Sequence, residues 1–187
     1  MSLLSASSIS ALRSYKKVSK KMSQLDHYIA KDSAPEVLKL VSLGNKAFGG
    51  AVEDIVRELF ALGPRTSSQN DATYGSRKIE IKAARYWAGK DDCMWQHLEP
   101  DHDYDLVLLV LQDFQGFKMW AINKEKMMGE LREKKIVTYQ GKQGWWTKKS
   151  AILPHLTEIH AVADLEPFRT QTSAPLMPSL PQGGPAQ

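Results

Sequence analysis

The segment Leu106-Val107-Leu108-Leu109-Val110-Leu111 is apolar at every position. Such a run is expected of a central β-strand covered on both faces. The segments around it supply the neighbours and the cover. Gln112 to Gly116 reads as a turn, and Phe117 to Ile122 returns as the hairpin partner of the run. Arg77 to Ala84 alternates, with Ile79 and Ile81 on one side and Lys78, Glu80 and Lys82 on the other. That pattern predicts a strand with one buried face. Residues 67–74 are polar with β character, and Tyr74-Gly75-Ser76 marks a turn before Arg77.

Helical signals frame these strands. Ser33 stands at a helix N-cap position before Pro35 to Val41, and Gly44 stops that helix. A second helix is expected over 46–62, where Phe48, Val52, Ile55, Leu59 and Leu62 form an apolar stripe. Gly63-Pro64 ends it. Asn123 is placed to cap a helix over 124–133. Ile136 to Tyr139 and Trp145 to Lys148 flank Gln140 to Gly144 as a further hairpin, and an amphipathic piece covers 151–162. The expected class is α/β, a mixed β-sheet flanked by helices.

At 187 residues the chain suits one domain with trimmings, and its 42% hydrophobic content is ordinary for a globular protein. The expected division is a basic N-terminal arm or helix over 1–32, a domain over 33–166 and a disordered Pro-rich tail over 167–187. The arm holds Arg13, Lys16, Lys17, Lys20 and Lys21 without an acid up to residue 25. It reads as a solvated or frayed segment, a phosphate-touching arm, or an organellar transit peptide. The tail carries Pro167, Pro175, Pro178, Pro181 and Pro185 and almost no charge. Cys93 is the single cysteine, which excludes a disulfide framework and a paired-cysteine zinc site. No apolar stretch is long enough to span a bilayer, so no membrane partner is expected. The setting is read as intracellular, cytoplasmic or nuclear. With 25 Lys and Arg against 21 Asp and Glu, the charge of +4 is compatible with a nucleic-acid partner without requiring one.

Chemistry concentrates at Asp71 and Glu80-Ile81-Lys82. Residues two apart in a strand share a face, so Glu80 and Lys82 project together. A hairpin neighbour carrying Asp71 would bring a second carboxylate to Glu80. Two such carboxylates repel unless a cation neutralises them. Mg²⁺, or Mn²⁺ in its place, takes one or two carboxylates together with water and phosphate oxygens. Lys82 beside them would hold or deprotonate a water, or stabilise charge on phosphate. The set suits metal-assisted hydrolysis of a phosphodiester. The plain alternative is a solvated strand face on which Glu80 and Lys82 are ordinary surface charges.

Asp71 followed by Glu80-Ile81-Lys82 resembles the PD-(D/E)xK motif of the restriction-endonuclease-like nuclease superfamily. The resemblance covers residues 44–135. Asn70 stands where the motif has proline. It implies a restriction-endonuclease-like fold: a helix, three strands, a helix and a strand around a mixed sheet. Here strand 117–122 precedes helix 124–133, which departs from that order. It also implies an Mg²⁺-dependent DNA endonuclease in which Asp71 and Glu80 ligate the metal and Lys82 acts on the attacking water. The first core helix of that family often contributes an acid, and Glu53 fills that place. A homodimer that cuts both strands is implied in the same way. A restriction-type enzyme, a Holliday-junction-resolvase-type nuclease and a non-catalytic nucleic-acid-binding protein on the same fold remain the competing readings.

Double-stranded or branched DNA would meet Arg85, Trp87 and Lys90 directly after the motif, and Lys142, Lys148 and Lys149 around Trp145-Trp146. No acid lies between Glu133 and Glu158. Basic residues interleaved with aromatics suit phosphate contact and base stacking. One of the two tryptophans is expected in the core. Some branches of the superfamily that the motif resembles place a Gln on a helix after it, and Gln96 matches that place only loosely. His97 and His102 with Asp101, Asp103 and Asp105 read as a solvated loop rather than a metal cluster, with Asp105 at the entry to a strand. Cys93 reads as inert.

Overall fold

The computed structural model describes residues 22–169. The basic cluster from Arg13 to Lys21 and the chain from residue 170 onward lie outside the described residues. Among the described residues no helix is long and apolar enough to cross a membrane.

Three helices come first: α1 (Gln24–Ile29), α2 (Pro35–Ser42) and α3 (Asn45–Leu59). The strands are β1 (Ala72–Tyr74), β2 (Arg77–Arg85), β3 (Met94–Trp95), β4 (Leu106–Gln112) and β5 (Phe117–Asn123). Two short helices follow, α4 (Lys124–Met128) and α5 (Glu130–Glu133). The hairpin of β6 (Thr138–Tyr139) and β7 (Trp145–Lys148), then α6 (Lys149–Ile152) and β8 (Thr157–Ile159), complete the chain.

The main sheet has the order β1-β2-β4-β5-β8. The β2–β4 pair is parallel and the others are antiparallel, so the sheet is mixed. All seven residues of β4 are buried. Leu106, Leu108 and Val110 face α3, while Val107, Leu109 and Leu111 face a second apolar layer. Each fully buried Leu or Val contributes about 1.5–3 kcal/mol, so both faces of β4 anchor the fold. The crossover from β2 to β4 contains no helix; its Trp95, Leu98 and Tyr104 join helices α1 and α2 in covering the second face.

Several local expectations change. Residues 24–29 are not part of a free arm. Ser23 closes a capping box on α1, and Tyr28 is fully buried. The Tyr28 hydroxyl donates to Gln112 O and accepts from Tyr86 N–H. At the other end, Phe168 still packs on the core. The stripe of α3 runs Phe48, Val52 and Val56, and Leu59 is 62% exposed. The helix ends at Leu59, and the chain turns through Ala61, whose φ is 48°. The helix expected over 124–133 breaks at Gly129. A Cβ there would come within 2.7 Å of Glu125 O. Asn123 does not cap α4 with its side chain, because its Oδ1 accepts from Arg77. The piece over 151–162 is one turn of α6, a 3₁₀ turn and β8, the edge strand beside β5.

Candidate active site

Strand β1 pairs with β2 only from Arg77 to Ile79. Before Ala72 the chain leaves the sheet, and Asn70 holds it there. Asn70 is buried; its Oδ1 accepts from Thr66 Oγ1 and from Ser67 N–H, and its Nδ2 donates to Ala72 O. Proline could not supply this clasp. Asp71 then takes the next rung of the ladder with its side chain. Its N–H donates to Ile79 O at 2.8 Å, and its Oδ2 accepts from Ile81 N–H at 2.8 Å. Beyond that rung, residues 80–85 of β2 have no strand partner on this side among the described residues.

A cleft of about 480 Å³ opens along this free edge. Consecutive residues Ile81 to Arg85 line it, as expected of an exposed strand edge rather than a strand face. Glu53 and Gly49 of α3 form one wall. A Cβ at Gly50 would meet nothing within 4 Å, so that glycine does not serve a close backbone approach. Met94, Gln96 and His97 form the opposite wall.

Lys82 Nζ lies 2.5 Å from Glu80 Oε1. Glu80 is only 4% exposed. The expectation of a single buried face on β2 is therefore corrected, because the layer containing Trp95, Leu98 and Tyr104 lies over the side that carries Glu80. Burial raises the Glu80 carboxyl above its ordinary range; the Lys82 ammonium opposes this, and the negative charge of Asp71 adds to it. Burial also raises Glu53, to about 7. The charge of Asp71 adds most to that effect after burial, Lys82 opposes it and Glu80 contributes further. Glu53, Asp71, Glu80 and Lys82 thus share one electrostatic neighbourhood, although they come from a helix, a loop and a strand.

Among the described residues, no three His, Cys, Asp or Glu side chains form a ready-made metal cage. Mg²⁺ does not require one, since it keeps several waters and binds through one or two carboxylates. The hard oxygen donors here, and the negative charge of Asp71 and Glu80 that adds to the effect of burial on Glu53, fit such an ion.

The residues expected to bind nucleic acid divide into two groups. Arg85 is engaged within the protein. Its guanidinium donates to Val41 O, Leu43 O and Asn45 Oδ1, which fixes the α2–α3 corner, and it stacks 4.7 Å from the Phe48 ring centroid. Lys149 donates to Asp91 O and lies over the Tyr86 ring. Trp87 lines the cleft. Lys90, Lys142 and Lys148 are exposed. Neither tryptophan of the pair is fully buried: Trp145 packs partly on the core beneath Arg132, and Trp146 is half-buried outside both core clusters.

Gln96, a loose match to the family's pattern, and His97, expected in a solvated loop, both line the cleft. The cause is a β-bulge. Met94 pairs with Lys148 and Trp95 with Thr147. Leu98 N–H then donates to Trp145 O at 3.0 Å, where an unbroken register would place His97. One extra residue is accommodated, and His97 takes a left-handed φ of 56°. Two of the loop acids are engaged locally: Asp103 pairs with Lys78 Nζ, and Asp105 Oδ2 accepts from Lys78 N–H at the strand entry.

No protein-family model matches the chain, and no curated protein matches it in sequence.

Proposed function

We propose that this protein is a metal-dependent endodeoxyribonuclease of restriction type, built on a restriction-endonuclease-like variant of its mixed sheet. The observation that carries this reading is the shared electrostatic neighbourhood of Glu53, Asp71, Glu80 and Lys82 at the unpaired edge of β2: Glu53 and Lys82 line a cleft open to solvent, and Asp71 and the buried Glu80 lie behind them, outside its lining. Asp71 and Glu80 would hold the ion, with Glu53 beside them; magnesium is the expected metal and manganese a substitute. Bound there, it would supply positive charge to a phosphate and an acidified water. The remaining work belongs to the chain. Glu80 fixes the Lys82 ammonium at 2.5 Å, so that its charge is aimed rather than free to swing. Lys82 orients a water and favours negative charge on the scissile phosphate. Ala83 and Ala84 keep the cleft floor low, which leaves room for a nucleic-acid backbone.

The test uses supercoiled plasmid with the full-length protein, with Mg²⁺ or with chelator, beside Asp71→Asn. The substitution keeps an oxygen for Ile81 N–H and removes the charge. Wild type should nick or linearise plasmid only with Mg²⁺, and Asp71→Asn should be slower by at least about a hundredfold. Cutting that persists in chelator, or survives undiminished in Asp71→Asn, refutes the assignment.

A further inference from the structure

The cleft wall formed by β3 continues into the small sheet β3-β7-β6. On β7, Thr147 faces the core and is buried, so the alternate positions Trp146 and Lys148 face outward. Met94 is the cross-strand partner of Lys148, and the bulge at Gln96–His97 stands opposite Trp146. Met94, Gln96 and His97 all line the cleft. An indole therefore lies on the outer face one strand from the cleft wall, with a lysine two residues along. Trp146 packs in neither core cluster. A half-buried indole on an outward face is poorly accounted for by fold stability alone.

The hairpin itself carries only positive charge, although the Glu99 carboxylate from the crossover lies against Gly144. Lys142 and Lys148 are exposed and enter no ion pair among the described residues. No acid occurs from residue 134 to residue 157. A flat aromatic surface flanked by ammonium groups matches an unpaired nucleobase and its phosphates, because every base has a stacking face. In a duplex the bases are already stacked on each other and offer no face to the indole.

We propose that Trp146, with Lys148 and Lys142, is a stacking subsite for a single-stranded stretch of DNA leaving the cleft. The substrate would then carry an unpaired segment, such as a flap, a fork or a frayed end, next to the bond that is cut. The inference rests on the proposed nuclease reading only for that last step; the stacking itself does not depend on it.

The test is binding in chelator, where no cutting occurs, read by anisotropy of labelled oligonucleotides with the full-length protein. The probes are a dT20 strand, a 20-residue abasic strand and a 20-base-pair blunt duplex. Wild type should bind dT20 about tenfold tighter than the abasic strand. Trp146→Ala should weaken dT20 by about tenfold and the duplex by less than twofold, and Trp146→Phe should recover most of the loss. Equal affinity of wild type for dT20 and the abasic strand overturns the proposal without any variant. So does an unchanged dT20 affinity in a folded Trp146→Ala protein, or an equal loss on both strands and duplex. Cutting with Mg²⁺ is scored separately, on supercoiled plasmid and on a duplex carrying a single-stranded flap. Base-dependent binding without cutting leaves the subsite standing and removes the nuclease reading. Cutting without base-dependent binding does the reverse.

Discussion

Glu53→Gln should stabilise the protein above neutral pH in the absence of divalent metal. The Glu53 carboxyl rises from its ordinary 4.5 to about 7, through burial first and then the charge of Asp71. A carboxyl whose folded value is raised binds its proton more tightly in the folded state. Its contribution is therefore fully present below about pH 4.5 and lost as pH climbs through about 7. At about 1.36 kcal/mol per pH unit the ceiling is about 3.4 kcal/mol. The side chain is only partly buried, and solvent screening brings this to about 1–2 kcal/mol. With a urea dependence of about 2 kcal/mol per molar, the midpoint should fall by about 0.5–1 M between pH 5 and pH 8. In Glu53→Gln this fall should shrink by at least half, and the two proteins should differ most at pH 8. Glu80 is raised in the same direction and keeps part of the slope in the variant. Urea melts in chelator at pH 5, 6, 7 and 8 read this directly. If Glu53→Gln is less stable than wild type at pH 8, or shows an undiminished slope, the burial of the Glu53 carboxyl beside the charge of Asp71 is wrong. Millimolar Mg²⁺ at pH 8 should raise the wild-type midpoint and affect the variant less, because an ion that binds only the folded site stabilises it by mass action.

Other substitutions separate packing from chemistry. Lys82→Met leaves the buried Glu80 carboxylate without its cation and should cost about 1–3 kcal/mol in urea melts, besides removing cutting; adding Glu80→Gln should recover most of the stability and none of the activity. Arg85→Ala breaks three hydrogen bonds at the α2–α3 corner and should lower the melting temperature by about 4–10 °C, with Arg85→Lys recovering little because the planar fork is lost. The Cys93 thiol is fully buried and raised by burial to about 12, so Ellman's reagent at pH 8 should label the native protein about a thousandfold more slowly than the urea-unfolded chain.

Composition and periodicity reach as far as the strands. The unbroken apolar run at 106–111 needs two covering layers, and the structure provides them. The alternation at 77–84 gives the strand and which residues share a face, but not what lies over that face. Alternation assigns polar residues to solvent by default. Here Trp95, Leu98 and Tyr104, all later in the chain, close over Glu80. Strand β3 has two residues and no pattern to detect. Gln96 and His97 reach the cleft through a register set against β7, a strand far along the chain, and a bulge is a property of that pairing rather than of either segment. A histidine four residues after Cys93 carries no such signal. Arg85 shows the opposite limit. Its position beside the motif suggested DNA, yet its donors meet the carbonyls at the end of α2, which no local pattern encodes.

The shortness of β1 connects stability with function. An unpaired strand edge invites another chain to pair with it, and proteins cover such edges or interrupt them. This edge is interrupted by Asn70, which draws the chain out of the sheet, and is then occupied by Asp71, whose carboxylate replaces one ladder acceptor at Ile81 N–H. On the proposed reading Asp71 has two separable roles, acceptor for the backbone and anion beside the cleft. Asp71→Ala removes both, so loss of activity in that variant would not distinguish a disordered edge from a missing charge. Asp71→Asn keeps the acceptor. If its melting curve matches wild type while its activity is lost, the charge is the functional part. If stability falls as far as in Asp71→Ala, the charge of the carboxylate is itself part of the structural cap, and loss of activity in Asp71→Asn then does not assign Asp71 to the chemistry.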